Sequence, residues 1–231
     1  MVRTKPFILA GGVAFAALQV LGRVSGSRRS ERLASLPGDE IVPRPTITTN
    51  HAATLGAPPT DVWPWLVQMG WHQGGWYTSR WVDRLLFPAN LPASDRIIPD
   101  LQNRTIGDFI PDGPPESGCG FVIERLDRDV SMVLHSTTHL PLAWRRRGAT
   151  LDWTWTFHLS EVDGDRTRLL FRTRGTLSPI WVWLLYQALI VPADFVMAGQ
   201  MMRGLDRRVR ASRTPDPPAE GHTDRLAVTR R

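Results

Sequence analysis

ATLDWTWTFHLSEVDGDRTRLLFRTRGTLSPIWVW, residues 149–183, holds two strands, their turn and the start of a helix in one run. Leu151, Trp153, Trp155, Phe157 and Leu159 fall on one side of an alternating pattern, with Asp152, Thr154, Thr156 and His158 on the other. A period of two is what a half-buried strand requires. Asp163-Gly164-Asp165 supplies a hairpin turn. In the next strand, Arg166–Gly175, Leu169, Phe171 and Thr173 alternate with Arg168, Arg172 and Arg174, and Leu170 alone breaks the pattern. One face of this antiparallel pair is expected to be buried and the other wet. Ser178 as N-cap and Pro179 at the first helical position then open a helix. Pro192 has no backbone N–H to donate and is expected to kink or break it. Before Pro192 the helix is apolar nearly all round, from Ile180 to Leu185. Beyond it Phe195, Ala198, Met202, Leu205 and Val209 form a stripe opposite the arginines.

Upstream of this run, Gly120–Arg125 and Val130–Ser136 read as two further strands of an antiparallel meander. Prolines 92, 99, 111, 114 and 115 mark Leu91–Gly118 as loop, with a brief strand near Ile106–Ile110, and loops of this length often rim a pocket. Earlier still, Ile47–Leu55 reads as a strand. Thr60 is placed as the N-cap of a short helix facing inward with Val62, Trp63, Leu66 and Val67, and ended by Gly70. Ser79–Leu86 makes a second short helix offering Trp81, Val82 and Leu85 for burial. The fold class is therefore α+β, an antiparallel sheet around a long C-terminal helix with two short helices after the first strand.

The chain has 231 residues, 42% of them apolar, and ten tryptophans, enough for one domain with a substantial core. Its formal charge of +6 is carried by arginine, since Lys5 is the only lysine. The arginines crowd both ends, a pattern that most simply gives a solvated helix face and a basic tail. No nucleic-acid motif accompanies them, so nucleic acid is not expected as a partner. The lone Cys119 excludes an intramolecular disulfide and a four-cysteine zinc site. Phe7–Leu21 is apolar except for Gln19 and follows Arg3 and Lys5, the form of a membrane-targeting segment. Read as an anchor, with Arg23 snorkelling, it leaves the domain cytoplasmic; read as a signal peptide cut near Val24-Ser25-Gly26, it leaves the domain exported. The organisation expected is a membrane segment at 1–24, a basic linker at 25–35, the folded domain at 36–212 and a disordered basic tail at 213–231. A second membrane contact is expected from the apolar helix at 180–191.

Several short pieces sit in a telling order: Leu36-Pro37-Gly38-Asp39-Glu40, Ala57-Pro58-Pro59 with Val62-Trp63, Leu66-Val67-Gln68-Met69-Gly70, Gly75-Trp76-Tyr77, and Asp194-Phe195-Val196-Met197 in the last helix. With these pieces, residues 36–211 resemble the START/Bet v 1-like superfamily, also called SRPBCC or polyketide cyclase/dehydrase-like, and most of all its uncharacterised bacterial branch. The resemblance implies the helix-grip fold. It also implies a lipid or other apolar small molecule held between the sheet and the last helix, or, in a minority of members, cyclase chemistry. No catalytic motif is common to the superfamily, so site residues come from residue type and position.

Aromatic side chains offer flat, stiff walls to an apolar guest. Trp63, Trp76, Tyr77, Trp81, Trp153, Trp155, Phe157 and Phe195 are the expected ligand-binding residues; the plainer reading is that they fill the core. His135 and Tyr77 are the candidates for a catalytic group. His158 alternates to the outer face, and no acidic residue lies beside His135 or His139 in sequence, so no metal site is expected. Asp108 reads as a turn residue and Asp95 as a surface partner of Arg96. No phosphate loop, nucleophile elbow or Cys-His cluster is present, and no cofactor is expected. The reading is thus non-covalent binding, transfer or sensing of an apolar molecule. Its rivals are a cyclase or aromatase on an apolar substrate, and a membrane-docked interaction protein with no guest.

Overall fold

The computed structural model describes residues 4–86 and 89–213. Six strands, β1 (Ile47–Leu55), β2 (Phe109–Pro111), β3 (Gly120–Asp127), β4 (Ser131–Ser136), β5 (Thr150–Val162) and β6 (Arg166–Ser178), form one sheet in the order β1-β6-β5-β4-β3-β2. Every neighbouring pair is antiparallel. β5 and β6 pair from Thr150↔Ser178 to Val162↔Arg166, and Asp163 and Gly164 turn the chain with φ of 56° and 77°. The described helices are α1 (Thr4–Val24), α2 (Arg29–Leu33), α3 (Pro59–Val67), α4 (Arg80–Leu86), α5 (Leu142–Arg145), α6 (Ile180–Leu185) and α7 (Val191–Arg213).

α3 starts two residues earlier than the sequence suggests. Pro58 is its N-cap and Pro59 its first residue, where a missing N–H costs nothing, so Thr60 is not the cap. At the other end of the chain, Pro192 neither breaks nor ends the helix. Tyr186–Ile190 forms a π-helical turn just before it, so that Ile180–Arg213 runs on as one helix of 34 residues. A widened turn takes up the ring and the lost donor that an α-helical turn cannot.

The core lies between the inner face of the sheet, α3 and α7. Leu151, Trp153, Phe157 and Leu159 of β5 and Leu169 and Phe171 of β6 meet Val62, Trp63 and Leu66 of α3. Ala198, Met202, Leu205 and Val209 of α7 join the same cluster, the stripe legible in the sequence. α7 comes very close to the chain at Tyr77, for a Cβ on Gly204 would lie 1.8 Å from the Tyr77 carbonyl oxygen. This arrangement, an antiparallel sheet closed around a long C-terminal helix, is the helix-grip fold.

Over β1, β6 and the middle of β5 the outer face of the sheet is covered rather than wet. Residues 25–46, whose first part was expected to be a linker, lie across it. Arg172 is only 3% exposed in its side chain and donates to the carbonyls of Glu31 and Ala34, to Asn50 Oδ1 and to Asp39 Oδ2. Arg168 pairs with Glu31 at 2.7 Å, and Arg174 donates to the Val42 carbonyl. Leu170, the residue that broke the alternation, packs with Leu36 and Ala52 beneath this strap. Thr156 donates to the Pro37 carbonyl, and Gly38 (φ 86°) passes so close that an added Cβ would lie 2.5 Å from Val133. The Leu36–Glu40 piece is therefore a structural clasp.

α1 packs along α7 and β1. A Cβ on Gly22 would sit 2.0 Å from the Val191 carbonyl oxygen. Gln19 donates to the backbone carbonyl of Gln187, and Arg23 to its side-chain oxygen. Large apolar side chains remain uncovered on both helices: Val13, Phe15 and Val20 on one, Ile180, Trp181, Leu184 and Leu189 on the other. Ile180–Arg213 is long and apolar enough, by length and composition, to cross a membrane, as core helices of soluble proteins also can be. The expected tail at 213–231 lies outside the described residues from 214 onward.

Candidate functional site

The aromatic interior between sheet and α7 is nearly filled. Trp155 meets Phe121 at 4.5 Å between ring centroids and Trp76 and Phe171 at 5.4 Å, while Phe157 stacks on Phe171 at 4.8 Å. Among these aromatics there remains a cavity of about 30 Å³ walled by Trp76, Thr78, Trp155, Phe171, Met197, Ala198 and Met201, with Asp112 and Asp194 also on its wall, while a groove of about 240 Å³ runs between the edge strand β1 and α7 and is lined by none of the expected aromatics. The cavity has room for about one water, whereas sites for drug-sized ligands run to several hundred Å³. The aromatics expected to hold a guest here hold one another instead.

A larger cavity, about 520 Å³, opens at the β2–β3–β4 end of the sheet. Its walls include Pro114, Ser117 and Cys119 from the proline-rich loop, Leu140, Pro141 and Leu142 after β4, Trp71, and the ionisable Asp112, His139 and Arg145. The loop was expected to rim a pocket, and it does. Trp76-side and loop-side cavities share one wall residue, Asp112.

Asp112 and His139 form the charged centre of this wall. His139 Nε2 lies 2.9 Å from Asp112 Oδ2, and its Nδ1 lies 2.7 Å from Ser136 Oγ. The carboxylate is 8% exposed and the imidazole 15%. Burial pushes the imidazole down, but the bond to Asp112 and the neighbouring Cys119 overcome it and raise His139 from 6.5 to about 9. At neutral pH it is thus an imidazolium donating both protons. Ser136 Oγ also accepts from the Thr138 N–H at 3.0 Å and is not on the cavity wall. Despite the Ser-His-Asp composition, a base already protonated and a serine turned into a strand-end turn do not make an activated nucleophile. Ser136 holds the imidazole in place instead. Asp112 Oδ1 and Arg145 Nε, buried atoms of two cavity-lining residues, have no hydrogen-bond partner among the described residues.

A second buried pair joins His51 of β1 to Asp194 of α7 at 2.8 Å, with Asp194 reaching the small interior cavity. It ties the last helix to the edge strand.

The remaining candidates are distributed as follows. Trp76 and Trp155 wall the small cavity, whereas Trp63, Trp153 and Phe157 are buried in the core. Phe195 is half-buried and lines neither cavity. Trp81 is 56% exposed, because α4 buries Val82 and turns Trp81 and Leu85 outward. Tyr77 is fully buried, its hydroxyl donating to the Trp65 carbonyl at 2.7 Å and pushed up in pKa by burial, so it has no proton to offer a substrate. His135 lies on the outer face of β4, 2.7 Å from Asp152 and 3.4 Å from Glu124, away from both cavities. Both His135 and His139 therefore have acidic partners, which sequence spacing hid because the carboxylates come from other strands and loops. Asp95 pairs with Arg208 rather than Arg96, and Asp108 accepts from Thr105 as a turn residue should. No cluster of three metal-ligating side chains occurs among the described residues.

By its own topology the chain is an α+β helix-grip domain. No family model matches it, and no curated protein matches it in sequence. Among solved structures it is similar to a hypothetical protein from Helicobacter pylori (TM-score 0.46, 12% identity, 76% of this chain and 95% of that one). A protein from Mesorhizobium loti is another (TM-score 0.44, 13% identity, 73% of this chain and 100% of that one). Truncated norcoclaurine synthase from Thalictrum flavum is a third (TM-score 0.41, 15% identity, 71% of this chain and 92% of that one). At these scores the assignment to the helix-grip class rests on sheet order and the C-terminal helix alone.

Proposed function

We propose that this protein binds a lipid or other apolar small molecule non-covalently, in the cavity beneath the 111–119 loop, while seated on a membrane through α1 and the apolar face of residues 180–190. One observation carries the reading: the cavity mouth and the exposed apolar face adjoin. Leu142 of α5 lines the cavity and is 45% exposed, and Trp144 of the same short helix meets Trp181 of α6 edge-on at 4.9 Å. A volume of about 520 Å³ with mainly apolar walls suits a single small guest. The aromatic interior supports the site from behind rather than forming it. A cyclase would need a free acid or base in the cavity, and the protons of His139 are already committed to Asp112 and Ser136.

The test uses the full chain purified in lipid nanodiscs, with Cys119 as a built-in probe. Cys119 is the only cysteine and lies on the cavity wall. Native mass spectrometry should find a stoichiometric apolar guest, and that guest should slow alkylation of Cys119. A protein that carries nothing, and whose Cys119 reacts equally fast with or without added long-chain probes, would be an interaction protein without a ligand.

A further inference from the structure

Pro192 shapes the place where α1 meets the last helix. In the π-helical turn the Val191 N–H is given to the Tyr186 carbonyl, and Pro192 has no N–H to give. The Gln187 carbonyl thus loses both its α-helical and its π-helical donor, and Gln19 Nε2 of α1 supplies one. Gln19 Oε1 in turn accepts from Arg23 Nη1 at 2.6 Å, and Arg23 Nη2 donates to Gln187 Oε1. The ring closes on neutral groups. All the partners of Arg23 among the described residues are uncharged oxygens, so its hydrogens are answered while its charge is not.

Arg23 does not reach outward as a snorkelling arginine would. Its Nη1 also donates to the Gln19 carbonyl at 2.7 Å, which turns the guanidinium back along α1 toward the apolar stretch. There it ends a groove of about 470 Å³ between α1 and residues 183–188, whose walls include Phe15, Trp183 and Leu184. Phe15, Gln19 and Arg23 recur every fourth residue on one face of α1, so the groove follows the helix for about 12 Å. The helices close on each other where Gly22 meets Val191, beside Arg23, and the far end is the apolar one, with Phe15 and Leu184 exposed. A half-buried cation without a counter-ion, at one end of an apolar trough, favours an anion that brings its own hydrocarbon. A phosphodiester offers oxygens to the guanidinium, and its acyl chain covers the trough.

Resting on the membrane seating proposed above, we propose that the groove between α1 and residues 183–188 is a binding site for one anionic phospholipid, its phosphate on Arg23 and one acyl chain along Phe15 and Leu184.

The experiment releases the full chain from nanodiscs of equal parts phosphatidylglycerol and phosphatidylcholine into native mass spectrometry and reads which lipid stays bound. Phosphatidylcholine carries the same phosphate with a cation of its own, so one phosphatidylglycerol should be retained with about tenfold preference. Arg23→Gln should bring the two lipids to within about twofold, and Arg23→Lys, which keeps the charge, should hold most of the preference. Arg29→Gln removes the same charge from an exposed position and should leave the preference intact. Ala188→Trp fills the groove from its wall and should lower retention of both lipids. Melting curves confirm that each variant is folded. No preference in the unaltered protein, a preference that survives Arg23→Gln, or equal losses from Arg23→Gln and Arg29→Gln would overturn the lipid site and leave the membrane seating in place. A full chain that fails to sediment with phosphatidylglycerol vesicles would overturn the seating, and the lipid site with it.

Discussion

His139 and Arg172 are charged side chains taken largely out of water, and each is kept so by carboxylates and carbonyls from distant parts of the chain. For His139 the consequence is a pH dependence. Its folded value, about 9, lies above its ordinary 6.5, so folding binds the proton. The stability it contributes is complete below pH 6.5 and is lost as pH rises through 9. The full amount is on the order of 3 kcal/mol. Urea unfolding between pH 6 and 10 should show this decline, and Asp112→Asn should flatten it; an unaltered slope in that variant would mean another group titrates. Arg172→Met removes one side of a buried pair and leaves Asp39 of the strap, 16% exposed, with only Arg174 at 3.6 Å, and the Glu31 and Ala34 carbonyls without their donor. The expected cost is roughly 3–5 kcal/mol, against less than 1 for the same change at exposed Arg166. Sequence could not foretell either residue. Arg172 sits where alternation says solvent, and only the clasp at 36–40, more than a hundred residues away, makes that position an interior one.

Gly204 and Gly199 separate, within α7, a glycine demanded by packing from one that is not. At Gly204 an added methyl meets the Tyr77 backbone at 1.8 Å, so Gly204→Ala must push the helix away from the core, at about 2 kcal/mol or more. At Gly199 the nearest heavy atom is the mobile Arg203 guanidinium at 3.5 Å, so Gly199→Ala should gain about 0.5–1 kcal/mol from helix propensity. Thermal melts of the two variants check both signs. It is at this scale that the sequence was most legible. β5, β6 and the stripe of α7 follow from alternation and helical spacing, because those patterns record burial on one side of an element, whereas the brief strand expected near Ile106–Ile110 lies at Phe109–Pro111. What was illegible depends on how elements meet. Trp81 and Leu85 have helical spacing on α4 but stay 56% and 71% exposed. Asp112 and His139 come together only because a proline-rich loop folds back across the end of β4, and no local spacing encodes that return.

The molecule as a whole has one apolar side that its own fold does not cover. α1 lies against α7, and α1 together with residues 180–190 leaves Val13, Phe15, Val20, Ile180, Trp181, Leu184 and Leu189 in the open. Contiguous apolar surface of this kind marks a contact with membrane or protein. Arg146 and Arg147 are exposed next to Trp144, which touches Trp181, so a basic rim borders the apolar face. A bilayer containing anionic lipid answers both features, the face by burial and the rim at about 1 kcal/mol per arginine. If α1 were merely an anchor tethering an otherwise soluble domain, removing it would end membrane association. If the face at 180–190 docks as well, the chain shortened to residues 25–231 should still sediment with vesicles containing phosphatidylglycerol and be released by high salt. Arg146→Ala with Arg147→Ala should then weaken binding by about thirtyfold, since two charges at about 1 kcal/mol each are lost. Trp181→Glu with Leu184→Glu should abolish it, because the carboxylates must be dehydrated to enter the interface and meet anionic headgroups when they arrive. A shortened chain that is folded and monomeric yet ignores both anionic and neutral vesicles would leave α1 as the sole anchor, and would remove the reason for the cavity mouth to open beside Trp144.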